Sequence, residues 1–270
     1  MGLRINQNIA ALNAYRNLTV TEGQLSKSLE KLSSGFRINR AADDAAGLVI
    51  SENLRAQVRG LGVAVRNAQD GISVVQTAEG ALTETTAILQ RMRDLAVQAA
   101  NDGGSDATAR QAAQDEIDQL VAELDRIADT TRFGNTKLLD GNYDKDFQVG
   151  ANAGETINVS ISAMSSGALS VDSVDVTSAA QAAITAIDAA LSTVSAERGA
   201  LGAVQNRLEH TIANLSVAKE NLAASESRIR DTDMAAEIVE FTRAQILQQA
   251  GTAMLAQANA IPQSVLSLLQ

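Results

Sequence analysis

The amino-acid sequence predicts a mainly α-helical protein: a long antiparallel helical rod or coiled coil with a small β-hairpin region, plus paired terminal helices. Three observations support this prediction. Only 2% of the 270 residues are aromatic, and the small aliphatic residues that supply most of the apolar content suit helices packed side by side. Pro262 is the single proline, so helices are permitted through most of the length. Apolar residues also recur at coiled-coil spacing over two long stretches.

The most regular apolar pattern lies in the C-terminal half, where an apolar residue recurs every seven residues from Ile187 to Ile229. The residues are Ile187, Val194, Leu201, Leu208, Leu215, Leu222 and Ile229. A heptad repeat of this length is typical of a coiled-coil helix. The positions between these residues are half polar or more, which indicates a narrow stripe that faces more than one partner helix. At about 1.5 Å per residue, the helix would be roughly 60 Å long.

A second long helix is predicted in the N-terminal half, from apolar positions in alternating steps of four and three. Its stripe consists of Leu61, Val65, Ala68, Ile72, Val75, Glu79, Leu82, Thr86 and Leu89. The turn-forming residues 101–104 are expected to end this helix. Apolar positions between Ile117 and Ile127 then predict a third helix that runs back antiparallel to the second.

The pattern changes between residues 130 and 178, where Gly, Asn and Asp interrupt short alternating stretches. Residues 147–149 and 156–161 alternate in the manner of strands, and Gly150 and Gly154 lie between them. This part of the chain is predicted to form a β-hairpin.

The two ends of the chain, residues 3–32 and 234–269, are amphipathic and rich in Ala, Gln and Asn. Each carries an apolar stripe but has no further layer against which to bury it. We expect these ends to be loosely ordered alone and to become ordered on association, because neither buries enough surface to offset the loss of conformational entropy.

Composition argues against several classes of function. The net charge of −10 disfavours nucleic-acid binding, and the absence of cysteine excludes disulfides and thiolate sites. His210 is the only histidine, so a His-Glu-x-x-His zinc site is impossible, and no glycine-rich phosphate loop is present. We therefore expect that the protein is not an enzyme and that it binds no cofactor and no metal. No apolar run is long enough for a membrane span or a cleaved secretory signal.

One acidic segment partly matches the pattern of a calcium-binding loop. Asp140, Asn142, Asp144 and Asp146 alternate like the first ligands of such a loop, but Lys145 occupies the position that requires glycine. The position of the last ligand is Ala151 rather than Glu. A solvated turn is the favoured interpretation.

Four segments carry a resemblance to a known family. They are LSSGFRINRAADDAAGLVIS at 32–51, LQRMRDLAVQAAN at 89–101, TTRFGNTKLLDG at 130–141, and RIRDTDMAAEIVEFTRAQILQQAGTAMLAQANAIPQSVLSLL at 228–269. Together they closely resemble the bacterial flagellins, in a short form without outer variable domains. The resemblance implies an inner terminal-helix domain formed by residues 1–43 and 231–270. It also implies a rod domain over 44–230, with the β-hairpin insert at about 140–178.

The resemblance further implies a structural subunit that polymerises into the extracellular flagellar filament for motility. Such a subunit is secreted without a cleaved signal peptide by the type III export apparatus, with an export chaperone, and meets the filament cap and hook-junction proteins. The candidate polymerisation residues are Ile5, Ile9, Leu12, Leu29, Leu32, Asp43, Asp44, Ile238, Phe241, Leu255 and Leu266.

Resemblance to flagellins also implies recognition by the host Toll-like receptor for flagellin. The matching residues are Arg91 and Leu95, four positions apart on one helix, and Glu116 on the returning helix. A plainer interpretation is that Arg91 pairs with Glu116 across the rod while Leu95 packs.

Two other functions are compatible with some of these features. A hook-filament junction protein shares flagellin-like ends but polymerises only into a short ring. A secreted membrane-active protein would use amphipathic ends, but these ends have few Lys or Arg residues and no Trp. The extensive terminal match favours the filament subunit.

Overall fold

The computed structural model describes the backbone of residues 7–267 and the side chains of residues 7–260. Within that part the chain forms five helices and four strands. The helices are α1 (Ile9–Ser34), α2 (Ala45–Ala99), α3 (Ala107–Thr130), α4 (Ala180–Arg230) and α5 (Met234–Ser267). The strands are β1 (Arg132–Phe133), β2 (Thr136–Lys137), β3 (Tyr143–Gln148) and β4 (Thr156–Ile161). The mainly helical fold class with a small β region is thereby confirmed.

The chain divides into two compact units by its contacts. One unit contains residues 57–220, and the other contains residues 1–56 together with 221–270.

The unit of residues 57–220 has a large buried core to which α2, α3 and α4, the hairpin of β3 and β4, and residues 162–178 contribute. A smaller cluster joins Ala68, Leu208 and the hairpin. The heptad residues of α4 within this unit, from Ile187 to Leu215, are all buried, as the seven-residue spacing predicted. Leu82 and Leu89 of the second predicted stripe are also fully buried, as are Ile117 and Leu124 of α3. The short loop between α2 and α3 falls at the predicted turn cluster.

Strands β3 and β4 form an antiparallel hairpin, in register from Tyr143 opposite Ile161 to Gln148 opposite Thr156. Alternate residues of β4 are buried, so one face of the hairpin joins the core. The predicted hairpin is confirmed. A second, smaller hairpin of β1 and β2 was not predicted, because two-residue strands are too short to show an alternating pattern. Its turn contains Gly134, at a φ of 59°.

Residues 162–178 contain no strand or helix, yet three polar side chains hold them against the helices. Glu197 accepts hydrogen bonds from the backbone N–H and hydroxyl of Ser162. Asp125 does the same for Ser166, at 2.8 Å for both bonds. Gln114 donates to the carbonyl of Val174 at 2.9 Å and accepts from the N–H of Val176 at 2.8 Å. These bonds replace the missing backbone pairing, which allows the apolar residues of the segment to be buried.

The unit of residues 1–56 and 221–270 contains α1 and α5, which pack against one another. Asn8 caps the start of α1 by accepting a hydrogen bond from the N–H of Ala11 at 3.0 Å. Gly35 ends α1 in the left-handed conformation, at a φ of 76°. At the start of α5, the carboxylate of Asp233 accepts from the N–H groups of Ala235 and Ala236.

Candidate functional site

The contact between α1 and α5 is formed mainly by small or polar residues. We call this contact the terminal seam and define it by the least exposed positions, which recur every three or four residues on both helices. On α1 they are Ala11, Ala14, Leu18, Thr21, Leu25, Ser28 and Leu32. On α5 they are Glu237, Phe241, Ala244, Gln248, Gly251, Leu255 and Ala258. Small residues in the seam let the two backbones approach closely, and Leu18 lies directly against Gly251.

Polar contacts near both ends fix the antiparallel register of the seam. The side-chain amide of Asn8 donates to the carbonyl of Ala258 at 2.7 Å. Towards the other end, Lys31 Nζ lies 3.5 Å from Glu237 Oε2, and both side chains are largely shielded from solvent. Each contact joins one residue at or beside α1 to one residue of α5. A shift of one helix along the other would therefore break both contacts.

A second set of large apolar residues on the two helices is exposed to solvent. We call them the outer apolar faces of α1 and α5. On α1 this face consists of Ile9, Leu12, Tyr15, Val20 and Leu29. On α5 it consists of Ile238, Val239, Ile246, Leu247 and Met254. An exposed apolar surface of this kind is typical of a protein interface.

The candidate polymerisation residues are therefore divided by the structure. Those exposed on the outer apolar faces are Ile9, Leu12, Leu29 and Ile238. Those that lie half-buried in the terminal seam are Leu32, Phe241 and Leu255. Ile5 and the side chain of Leu266 lie outside the described residues.

Asp43 and Asp44 are exposed and make local hydrogen bonds. The backbone N–H groups of Arg40 and Asn39 donate to Asp43 Oδ2 at 3.0 and 3.2 Å, and these bonds lower the pKa of the Asp43 carboxyl. Asp44 Oδ1 accepts from the N–H of Gly47 at 2.9 Å, at the start of α2. Both residues thus shape the turn into α2.

A corner between α1 and α2 pairs with the corner between α4 and α5, and sequence analysis did not identify this contact. The N–H of Arg37 donates to the carbonyl of Arg230 at 2.7 Å, and the N–H of Thr232 donates to the carbonyl of Gly35 at 3.0 Å. The guanidinium of Arg230 lies 4.9 Å from the centre of the Phe36 ring and forms an ion pair with Glu52. We call this arrangement the Arg230 corner. Its residues follow no periodic pattern, so the sequence carried no signal for it.

The candidate receptor residues lie on α2 and α3. Arg91 Nε donates to Glu116 Oε1 at 2.7 Å, and the side chains are 55% and 43% exposed. Leu95 is only 4% exposed and belongs to the core of its unit. The structure therefore brings Arg91 and Glu116 together at the surface, with Leu95 packed in the interior one helical turn away.

The acidic segment that begins at Asp140 and partly matches a calcium-binding loop leads into the β3–β4 hairpin. Asp140 accepts a hydrogen bond from the N–H of Asn142 at 3.0 Å, as in a turn. Asp144 and Asp146 lie on β3, and both accept from the side-chain amide of Asn158 on β4. Cross-strand pairing accounts for this arrangement.

Comparison with known proteins identifies the family. Residues 5–144 match the bacterial flagellin N-terminal helical region, and residues 184–269 match the bacterial flagellin C-terminal helical region. A flagellin of Halalkalibacterium halodurans is 57% identical over 272 aligned positions, which cover 98% of this chain and 99% of the relative. The chain belongs to the bacterial flagellin family.

Further comparisons agree with this assignment. A Bacillus subtilis flagellin is 52% identical and is covered completely by 99% of this chain. The crystal structure of a Bacillus cereus flagellin superimposes with a TM-score of 0.50 at 33% identity, over 60% of this chain and 94% of the other.

This short-form flagellin is therefore a structural subunit of the bacterial flagellar filament, the extracellular assembly that serves motility. Its relatives match along nearly the whole chain, so the junction-protein alternative is not favoured. Among residues 7–267, no helix is both long and apolar enough to cross a membrane.

Proposed function

We propose that this flagellin polymerises through the outer apolar faces of α1 and α5. In this proposal, residues 1–43 and 231–270 form the inner domain of the filament, and residues 44–230 form its rod domain. The observation that supports this proposal most directly is that Leu12, Ile246 and other large side chains outside the terminal seam are exposed to solvent.

In the monomer, the exposed side chains of the outer apolar faces contribute little to stability. Large aliphatic side chains stabilise a protein when they leave water, and each contributes about 1.5–3 kcal/mol when fully buried. Those on the outer apolar faces stay exposed in the monomer, so most of that free energy is released only on association. Two different faces on one subunit allow heterologous contacts that extend into a filament instead of closing into a dimer.

The proposal can be tested with serine substitutions at exposed positions. Leu12→Ser and Ile246→Ser remove side chains of the outer faces that are 61% and 60% exposed. Each is expected to raise the critical concentration for seeded polymerisation by about tenfold, because about 1.4 kcal/mol of burial is lost per subunit. Val217→Ser is the matched control, since Val217 is 58% exposed but lies on α4, outside the terminal pair.

Sedimentation and electron microscopy of the products would measure assembly, and thermal unfolding would show that the monomers stay folded. A protein lacking residues 235–270 should form no filaments. If Val217→Ser weakened assembly as much as the two outer-face variants, the assembly contact would not be confined to the terminal helices and the proposal would fail.

We also infer that this flagellin is exported unfolded by the type III apparatus without a cleaved signal peptide. Its proposed partners are an export chaperone that binds the C-terminal helix, the filament cap and the hook-junction proteins, and it has no enzymatic role. The absence of cysteine and the single proline support passage as an unfolded chain, because neither disulfides nor several slow proline isomerisations would delay refolding. The intact mass of secreted protein tests this: loss of an N-terminal segment would contradict export without cleavage.

A second role is proposed for the α2–α3 surface, as a site for the host Toll-like receptor for flagellin. The exposed Arg91–Glu116 pair supports this role, since a charged pair open to solvent can exchange its internal contact for contacts with a partner. Leu95 would act by packing beneath the surface, because its side chain is buried.

Charge exchange separates receptor recognition from internal pairing. The double variant Arg91→Glu/Glu116→Arg retains an internal ion pair but reverses what a receptor meets, so receptor activation should fall while thermal stability is kept. The control is Arg93→Asp/Asp188→Arg, which exchanges a similarly exposed pair at 2.6 Å. Equal activation by the wild type and the first double variant would contradict the proposed receptor site.

A further inference from the structure

The methionines of this flagellin differ sharply in their exposure to solvent. Met92 and Met164 are buried in the core of residues 57–220, at 0% and 1% exposure. Met254 and Met234 lie on α5 and are 60% and 44% exposed. A solvent-accessible thioether is open to oxidation, whereas a thioether enclosed by packed side chains is shielded.

Met254 belongs to the outer apolar face of α5. It lies seven residues after Leu247, a spacing that places two side chains on the same side of a helix. Met234 occupies the first position of α5, four residues before Ile238 and twelve before Ile246, so it adjoins the N-terminal edge of this face. Among the methionines that the structure describes, Met254 is therefore the most exposed, and it lies on the face proposed for assembly.

We propose that Met254 is an oxidation-sensitive position that controls whether the monomer can join a filament. The oxidant is a peroxide. The sulfur donates a lone pair to one peroxide oxygen, the O–O bond breaks, and a sulfur–oxygen bond forms. With hydrogen peroxide the other oxygen leaves as hydroxide and takes up the proton carried by the transferred oxygen, which gives the sulfoxide and water. The sulfur is oxidised by two electrons and the peroxide is reduced. This inference rests on the proposed assembly role of the outer face of α5.

Oxidation of Met254 to the sulfoxide places a polar group on the outer apolar face of α5. A flexible apolar side chain becomes polar, and its oxygen must lose bound water when the face is covered by another subunit. The lost apolar burial and the added desolvation both oppose assembly. The critical concentration of the oxidised monomer is expected to rise at least about tenfold. Once the filament has formed, the covering subunit shields Met254 from peroxide.

In the experiment, full-length monomer is treated with hydrogen peroxide. The dose is chosen so that peptide mass spectrometry detects no oxidation of Met92 or Met164. Seeded polymerisation is then followed by sedimentation for the wild type, Met254→Leu and Met234→Leu. Leucine retains the apolar character and approximate volume of methionine but has no sulfur to oxidise. Peroxide should weaken assembly of the wild type and of Met234→Leu, and leave Met254→Leu unaffected. Methionine sulfoxide reductases should restore the treated wild type.

Each outcome has a distinct meaning. If treated Met254→Leu loses assembly as severely as the treated wild type, the assignment of Met254 is overturned. It is also overturned if Met254 is fully oxidised in the wild type and the critical concentration does not change, or if Met254 in filaments reacts as fast as in monomers. The proposed assembly surface is judged separately, by the untreated serine variants at Leu12 and Ile246, which contain no change at methionine.

Discussion

The Arg230 corner yields the sharpest prediction for local stability. In Arg230→Met the guanidinium is removed while a long side chain remains to cover Phe36. The variant loses a cation–π contact worth about 0.5–2 kcal/mol. It also loses an ion pair to Glu52, whose side chain is 52% exposed, so this contribution is discounted to about 0.2–1 kcal/mol. The expected destabilisation of the corner is about 1–3 kcal/mol.

Native-state hydrogen exchange is the appropriate assay, because the corner can open without global unfolding. The reporting amides are the N–H of Arg37, bonded to the carbonyl of Arg230, and the N–H of Thr232, bonded to the carbonyl of Gly35. Both should exchange about 5- to 150-fold faster in Arg230→Met. The control amide is that of Gly35, which donates to the carbonyl of Lys31 within the end of α1 and should change little.

Phe36→Leu separates the two contributions, since it removes the aromatic ring and leaves the ion pair in place. Its effect should be about 0.5–2 kcal/mol and should largely vanish in the Arg230→Met background, as expected for two residues in contact. The reasoning is refuted if Arg230→Met leaves exchange at Arg37 and Thr232 unchanged, or if the two substitutions add independently.

Three further predictions concern packing, backbone conformation and pH. Leu208→Ala should lower the free energy of unfolding by about 2–5 kcal/mol in urea titrations, because the heptad residue is fully buried; a loss below 1 kcal/mol would contradict its core position. Gly141→Ala should destabilise the protein by more than about 1 kcal/mol, since the glycine has a φ of 80° and an added Cβ would lie 2.8 Å from Ala163 Cβ. An unchanged melting temperature would show that alanine is not strained at this position. Because the pKa of Asp43 is lowered in the folded protein, its ionised carboxylate stabilises the fold at pH values above the ordinary carboxyl pKa, and this contribution is lost as pH falls through the lowered value. Asp43→Asn should therefore reduce the pH dependence of thermal stability below about pH 5. Identical pH profiles for the variant and the wild type would contradict this role of Asp43.

The helices were predictable because their signal is local and repeated. The heptads from Ile187 onward, the stripe from Leu61 to Leu89 and the apolar positions of α3 each record burial at a fixed angular spacing. The β3–β4 hairpin was predictable for the same reason, since alternation over six residues of β4 records which side is covered. The segment at 162–178 was not, because its order comes from single contacts with Glu197, Asp125 and Gln114 on distant helices.

The functional surfaces were predictable only as far as their helix faces. The sequence indicates that both ends are amphipathic, but it assigns Leu12 and Leu32 to one stripe. In the structure Leu12 is exposed and Leu32 lies in the terminal seam. Spacing likewise places Arg91 and Leu95 on one face of α2, although only Arg91 reaches the surface.

The helical class of this flagellin, the positions of its long helices and its family are evident from the sequence, because periodicity and long motifs are properties of a single stretch of chain. The side of α1 that meets α5, the role of Arg230 in joining two corners, and the thioethers that remain in contact with water became evident only from the fold. These features depend on residues that are distant in sequence, and a small seam residue such as Ala244 reveals its role only when the opposite helix is in place.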